Sequence, residues 1–230
     1  VFYRFIGLLT LLSILPLHAA GQEGYVRFNR ITINDGLSLS SVYTIYQDSK
    51  GYMWFGTEDG LNRYDGRDVA VYGATTDQFH TLANKWIELI YEDRTGMIWL
   101  GSRGGLTKYN PRKGIFAVLK HDPADSLSLS NDTGTAISTD QRNDIWIGTR
   151  GGLNRVDRQT NDVERIVPDE PELAGLTSRI TGFLQDPSGI FWISTSRGLF
   201  SYDAKSGLFF MESADGLIGK NTSVCHMSLN

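Results

Sequence analysis

Four tryptophans constrain this chain more than anything else in it. Trp54, Trp99, Trp146 and Trp192 follow one another at intervals of 45, 47 and 46 residues. Six positions before each stands an aspartate: Asp48, Asp93, Asp140 and Asp186. Three before come Gly51, Gly96, Asn143 and Gly189, and two after come Gly56, Gly101, Gly148 and the departure Ser194. A Gly-Leu pair then recurs at 60–61, 105–106, 152–153 and 198–199, and three residues past each Leu stand Tyr64, Tyr109, Val156 and Tyr202. Self-similarity at a fixed period of this length is the signature of a repeat architecture.

Each copy breaks into four short apolar or alternating runs. In the first these are VYTIYQ, YMWFGT, LNRYD and DVAVY, separated by Gly, Asp and Asn turns. That is a strand pattern, and no segment carries a convincing helical period. In the Asp-x-x-Gly turn the carboxylate can accept backbone amides while Gly, or Asn143, tolerates a positive φ. Four antiparallel strands recurring about every 46 residues give an all-β fold of β-propeller blades, with the repeated Trp as the wedge between blades. The blades are expected at about 42–73, 87–119, 134–167 and 180–212. The segment 25–34 is expected to be a lone strand that closes the last blade of a ring, and 223–230 to start a fifth blade. Seven such repeats need about 315 residues. The expectation is therefore a partial propeller over 22–230, with about four blades of an incomplete seven-bladed ring.

The pattern Asp-x-x-Gly-x-x-Trp-x-Gly-[Thr/Ser]-x-x-Gly-Leu-x-x-Tyr resembles the two-component regulator propeller repeat. So do the openings NDGLSLSSV (34–42) and ADGLIGKNTSV (214–224). The resemblance covers about residues 25–230 and departs modestly, at Ser194, Asn143 and Val156. It implies the periplasmic sensor propeller of a transmembrane receptor that works as a homodimer. In that family a β-sandwich, one membrane-spanning helix and a histidine kinase, hybrid kinase or diguanylate cyclase output usually follow. None of these later parts lies in the 230 residues, so the membrane would be reached through a C-terminal segment outside them.

The N-terminus agrees with export. Arg4, the 13-residue apolar run Phe5–Leu17 and the small residues of HAAG read as a signal peptide over 1–21, cleaved after Gly21. Thirteen residues are too few for a hydrocarbon core that needs about 20; an uncleaved signal anchor is the alternative. A single cysteine, Cys225, permits no internal disulfide and reads as a small buried apolar residue. No metal or cofactor spacing is present, so neither is expected. A net charge of −4 gives no reason to propose nucleic acid.

Residues that recur in every blade belong to the scaffold; those that differ are the candidates for binding. The hairpins between the second and third strands read GTEDGL, GSRGGL, GTRGGL and STSRGL. They place Glu58 and Asp59, then Arg103, Arg150 and Arg197, in neighbouring blades near one rim. Three guanidiniums there could clamp an anion or uronate, an oligosaccharide among them; as solvated turn residues they would do nothing. Trp86, the one tryptophan outside the register, is either a stacking platform or a plug under its loop. The long blade-to-blade segments 73–86, 120–133 and 168–178 are polar and unlike one another, as recognition loops are. A non-catalytic sensor is the leading reading. The alternatives are a polysaccharide-active lyase or hydrolase, with His80 and His121 as its only seeds, and a purely protein-binding propeller. A quinoprotein dehydrogenase would need a cofactor and a calcium site of unique acids that the sequence does not show.

Overall fold

The computed structural model describes residues 28–73 and 81–212. Every regular element falls within the unit that begins at Ile31. Among the described residues sixteen strands form four antiparallel sheets, each built from four strands consecutive in sequence and paired in chain order. The first holds β1 (Thr44–Gln47), β2 (Met53–Thr57), β3 (Gly60–Tyr64) and β4 (Val69–Tyr72). The second holds β5 (Ile87–Glu92), β6 (Ile98–Ser102), β7 (Gly105–Asn110) and β8 (Ile115–Leu119). The third holds β9 (Gly134–Thr139), β10 (Ile145–Thr149), β11 (Gly152–Val156) and β12 (Val163–Arg165). The fourth holds β13 (Ile180–Gln185), β14 (Ile190–Thr195), β15 (Gly198–Asp203) and β16 (Leu208–Glu212). The first strands neighbour one another in the order β1, β5, β9, β13. This is the blade arrangement of a β-propeller.

The repeated Asp and Trp are one device. In all four sheets the indole N–H of the Trp donates to Oδ2 of the Asp six residues earlier, at 2.8, 2.9, 3.0 and 3.1 Å. Oδ1 of the same carboxylate accepts the backbone N–H of Tyr52, Met97, Asp144 or Ile190, four residues on, which closes the turn between the first and second strands. The third turn residue takes positive φ in every copy, at 89° for Gly51, 82° for Gly96, 64° for Asn143 and 97° for Gly189. Asp48, Asp93 and Asp140 are buried, which a carboxylate tolerates only when it is hydrogen-bonded this fully. A cation completes the group in three sheets. Arg63, Lys108 and Arg155 sit opposite the Trp on the third strand, with their charged heads 5.9, 5.2 and 5.9 Å from the indole centroid. Ser201 takes this place in the fourth.

Three apolar clusters form the three boundaries between sheets. Trp54 packs with Ile87, Ile98 and Tyr109, and Trp99 with Ile145, Val156 and Val163. Trp146 packs with Ile180, Phe191 and Tyr202. Each Trp therefore meets the Tyr or Val of the next copy; the Trp54 and Tyr109 centroids are 6.0 Å apart, and those of Trp146 and Tyr202 4.9 Å. A second buried residue enters each sheet from the segment that precedes it: Leu37, Leu82, Leu129 and Leu176. Behind three of these leucines a backbone N–H is caught by a side chain of the third strand. Ser38 donates to Asn62 at 2.8 Å, Ala83 to Thr107 at 2.9 Å and Ser130 to Asn154 at 2.8 Å.

Two segments fold differently from a plain strand and a plain loop. Over its described part the segment 25–34 forms no strand: Ile33–Asp35 is a 3-10 turn. Asp35 accepts from both the backbone N–H and the hydroxyl of Thr32, at 2.8 and 2.9 Å, so local bonds satisfy the groups that a strand would offer to a neighbour. The segment 168–178 is not simply a polar loop, because Pro171–Thr177 is a 3-10 helix with Leu173 and Leu176 buried in the third boundary cluster. The segments 1–27, with the expected signal peptide, and 213–230, with Cys225 and the expected fifth blade, lie outside the described residues, as does 74–80.

The departure at Ser194 is compensated. The glycine two residues after the Trp is required where a first strand, of its own sheet or of the next, crowds it. A Cβ on Gly56 would stand 2.6 Å from Thr44 Cγ2, one on Gly101 2.8 Å from Leu89 Cδ1, and one on Gly148 2.6 Å from Ile180 Cγ2. In the fourth sheet the residue paired with Ser194 is Gly182. The small residue has moved across the ladder, and the Ser hydroxyl fills the space, accepting from Thr181 at 2.8 Å and donating to the Gly182 carbonyl at 3.2 Å.

Two outcomes follow. Gly148→Ser should destabilise by about 1–3 kcal/mol through overpacking and Ser194→Gly by only about 1 kcal/mol, read from urea midpoints. Four turn aspartates lie below the ordinary value of 3.8: Asp65, Asp157 and Asp203 chiefly through backbone N–H bonds, Asp186 chiefly through the Ser188 hydroxyl. They contribute stability above pH 3.8 and withdraw it as pH falls through their folded values, so thermal unfolding should drop to lower temperature below about pH 4.

Candidate functional site

The hairpins between the second and third strands share a face with the segments that lead to the next sheet. Gly60 N–H donates to Lys85 O and Gly105 N–H to Asp132 O, both at 2.9 Å. Arg150 N–H donates to Thr133 O at 3.1 Å, and Ser196 N–H to Arg179 O at 2.8 Å. Loops held on a rigid sheet scaffold in this way present their tip residues in fixed positions.

On the first two sheets these tips are already joined to one another. Glu58 accepts the Tyr43 hydroxyl, which raises the tyrosine pKa. The Tyr43 ring lies 5.4 Å from Trp86 at an interplanar angle of 53°. The Arg103 guanidinium sits 3.7 Å from the centre of the indole ring of Trp86, and its Nε and Nη2 reach Glu88 Oε1 at 3.0 and 2.9 Å. Trp86 is half-buried, and its indole nitrogen is enclosed with no hydrogen-bond partner among the described residues. It is thus clamped between a phenol and a guanidinium. Asp59 makes a 2.9 Å ion pair with Lys85, both side chains about half exposed, at 52% and 50%. Such a pair contributes little stability.

On the third and fourth sheets Arg150 and Arg197 are exposed, and among the described residues neither guanidinium has a hydrogen bond or ion pair. The structure therefore divides the sequence candidates. Glu58, Trp86 and Arg103 meet in one charge-matched cluster, Asp59 is tied to Lys85, and two arginines stand free. A clamp of three equivalent guanidiniums does not form, because Glu88 neutralises Arg103. Tyr43 and Glu88, which complete the cluster, escaped the sequence reading. Both stand eleven residues before their Trp, and each meets, across 15 residues, the hairpin residue four after it, but the residue type at that position differs between copies.

His121, one seed of the enzyme reading, is occupied. Its Nδ1 lies 2.6 Å from the Leu129 carbonyl and its backbone N–H donates to Asp132 at 2.7 Å. Arg165 from β12 spans the same loop, donating to the carbonyls of Ser128, Asp122 and Asp125 at 2.8–2.9 Å. The segment 120–133 is consequently a hydrogen-bonded turn, not a free recognition loop. The other seed, His80, lies outside the described residues. No group of three or more His, Cys, Asp or Glu that could hold a metal occurs among the described residues.

Blades of four antiparallel strands with a loop-built rim define a β-propeller. The family model described as "Two component regulator propeller" matches residues 36–59. Histidine kinase P4 of Formosa agariphila is 44% identical over 62 residues, 27% of this chain and 4% of that protein. The extracellular domain of what is described as a hybrid two component system of B. thetaiotaomicron is similar in structure, with a TM-score of 0.59 and 24% identity. That match covers 79% of this chain and 31% of the other. Virginiamycin B lyase from Staphylococcus aureus shares the fold at a TM-score of 0.54 and 14% identity, over 76% of this chain and 56% of its own. At such identities the solved structures establish the fold. The chain spans only 4% of the curated relative and under a third of the first solved structure.

Arg165→Ala should release the turn around His121. Limited proteolysis should then cut within 120–130, where the parent chain resists, while far-ultraviolet circular dichroism stays unchanged.

Proposed function

We propose that this propeller is the extracytoplasmic, non-catalytic ligand-sensing part of a transmembrane signalling receptor of the sensor kinase or diguanylate cyclase type. The observation that carries the reading is the contrast on the rim. The Asp–Trp scaffold repeats in every sheet, whereas the tips differ and leave Arg150 and Arg197 unpaired and exposed. Unpaired guanidiniums held on stiff hairpins are suited to bidentate recognition of carboxylate. The ligand class is therefore an anion, an acidic oligosaccharide in the first instance.

The repeat-family match and the likeness to an extracellular domain support export and a sensing role. A periplasmic location, a homodimer and anchorage through a segment beyond these residues belong to the same proposal. No helix among the described residues is long and apolar enough to cross a membrane. The likeness to a lyase is one of fold, and with His121 bound into its loop no feature of the described residues favours catalysis.

Arg150→Glu should lower the affinity for digalacturonate by at least about tenfold, roughly the effect of one lost charge-assisted bond, with the thermal midpoint unmoved. Isothermal titration calorimetry reads the first and scanning calorimetry the second. Unchanged digalacturonate binding would remove the rim from the account.

A further inference from the structure

The compensated serine of the fourth sheet has a second consequence. Beside it lies a cleft of about 260 Å³ bounded by the first strands β5, β9 and β13 and by Trp192 and Ser194 of β14. Every residue lining it is uncharged. Three hydroxyls are present: Thr181 and Ser194, bonded to each other at 2.8 Å, and Thr135, whose Oγ1 is enclosed with no partner among the described residues. Buried hydroxyls in native structures are nearly always paired, so an orphan of this kind marks a place where a bonding group is missing. The floor is apolar, with Leu89 and Phe183, and Trp192 supplies an aromatic wall.

The fourth sheet contributes a feature to this cleft that the other described sheets lack. Opposite the second-strand position of Ser194, the first strand carries Gly182, where the other sheets carry Thr44, Leu89 and Ala136. The swap lowers the wall of β13 and brings a hydroxyl to its edge. A repeat that keeps glycine after the Trp has neither.

We infer that this cleft, none of whose lining residues is an arginine, is a binding site for a small neutral polyhydroxylic molecule. With no charged lining residue to pair with an ion, the cleft favours a neutral occupant. Its volume lies below the roughly 300–1,000 Å³ of drug-sized sites, which limits the ligand to about one ring. Hydroxyls on the ligand would pair with Thr135 and with the Thr181–Ser194 couple, and its apolar face would lie on Trp192 or Phe183.

The test titrates the full chain with D-glucose and myo-inositol as neutral probes and D-glucuronate as the charged one, by tryptophan fluorescence and calorimetry. The neutral probes should bind with a change in emission, and D-glucuronate should leave that signal unmoved. Thr135→Val removes a hydroxyl that has no protein partner, so it should leave the thermal midpoint equal or higher while weakening neutral-probe binding by at least about fivefold. Gly182→Ala, whose Cβ would stand 3.2 Å from Ser194 Oγ, narrows the cleft and should weaken it further. No binding of either neutral probe at millimolar concentration, or binding that both variants leave unchanged, overturns the inference. So does neutral-probe binding that is lost in Arg150→Glu, which would place it on the rim.

Discussion

The bond from the Trp indole to the Asp carboxylate is what the other features lean on. One carboxylate does two jobs: Oδ2 fixes the wedge that separates two sheets, and Oδ1 closes the turn that starts the second strand. The bond lengths of 2.8–3.1 Å in all four sheets show the device unchanged by sequence drift elsewhere. Because the Asp is buried in three of the four, it has no water to fall back on, and a sheet that lost its Trp N–H would carry an unsatisfied carboxylate. Strand register, the position of the next sheet's Tyr or Val and the entry of the plugging Leu all follow from where that indole is held.

A scaffold so constrained leaves variation to the positions outside it. On one face the hairpin tips change from Glu58-Asp59 to arginines, and the surrounding residues determine what those changes mean. Arg103 is neutralised by Glu88 and stacked on Trp86, so it shapes the surface more than it attracts a ligand. Arg150 and Arg197, with no such neighbours among the described residues, keep their charge available. On the first strands of the third and fourth sheets, a single exchange of Gly for Ser across a ladder stands near a hydroxyl that is unpaired among the described residues. Both candidate sites therefore arise where one copy breaks a rule that the other copies keep.

Much of the fold was legible because each blade must solve the same packing problem. The Trp interval, the Asp six residues before it and the positive-φ turn position, with Asn143 standing in for Gly, all read directly as strands and turns. Bonds between residues of different roles were harder to read: the Asp was assigned to the turn and the Trp to the wedge, and spacing alone does not show that they touch. The leucines at 37, 82, 129 and 176 hid in segments that looked polar, since one buried residue in a loop creates no period. Gly182 could be recognised as the counterpart of Ser194 only once the register paired them. The rim cluster depended on Tyr43 and Glu88, which share one register position but not a residue type, so no repeated residue marked them. A prior for recognition loops likewise misread 120–133, where Arg165 supplies the hydrogen bonds from a strand 37 to 43 residues away.

The central claim, that Asp and Trp act as one unit between sheets, is tested most directly by a double-mutant cycle on Asp140 and Trp146. Asp140→Asn, Trp146→Phe and the double variant should be compared by urea denaturation. The account predicts a coupling energy of about 1–3 kcal/mol, with the double variant far less damaged than the sum of the single ones. Additivity within about 0.5 kcal/mol would contradict it, and would mean that the indole and the carboxylate serve the fold independently.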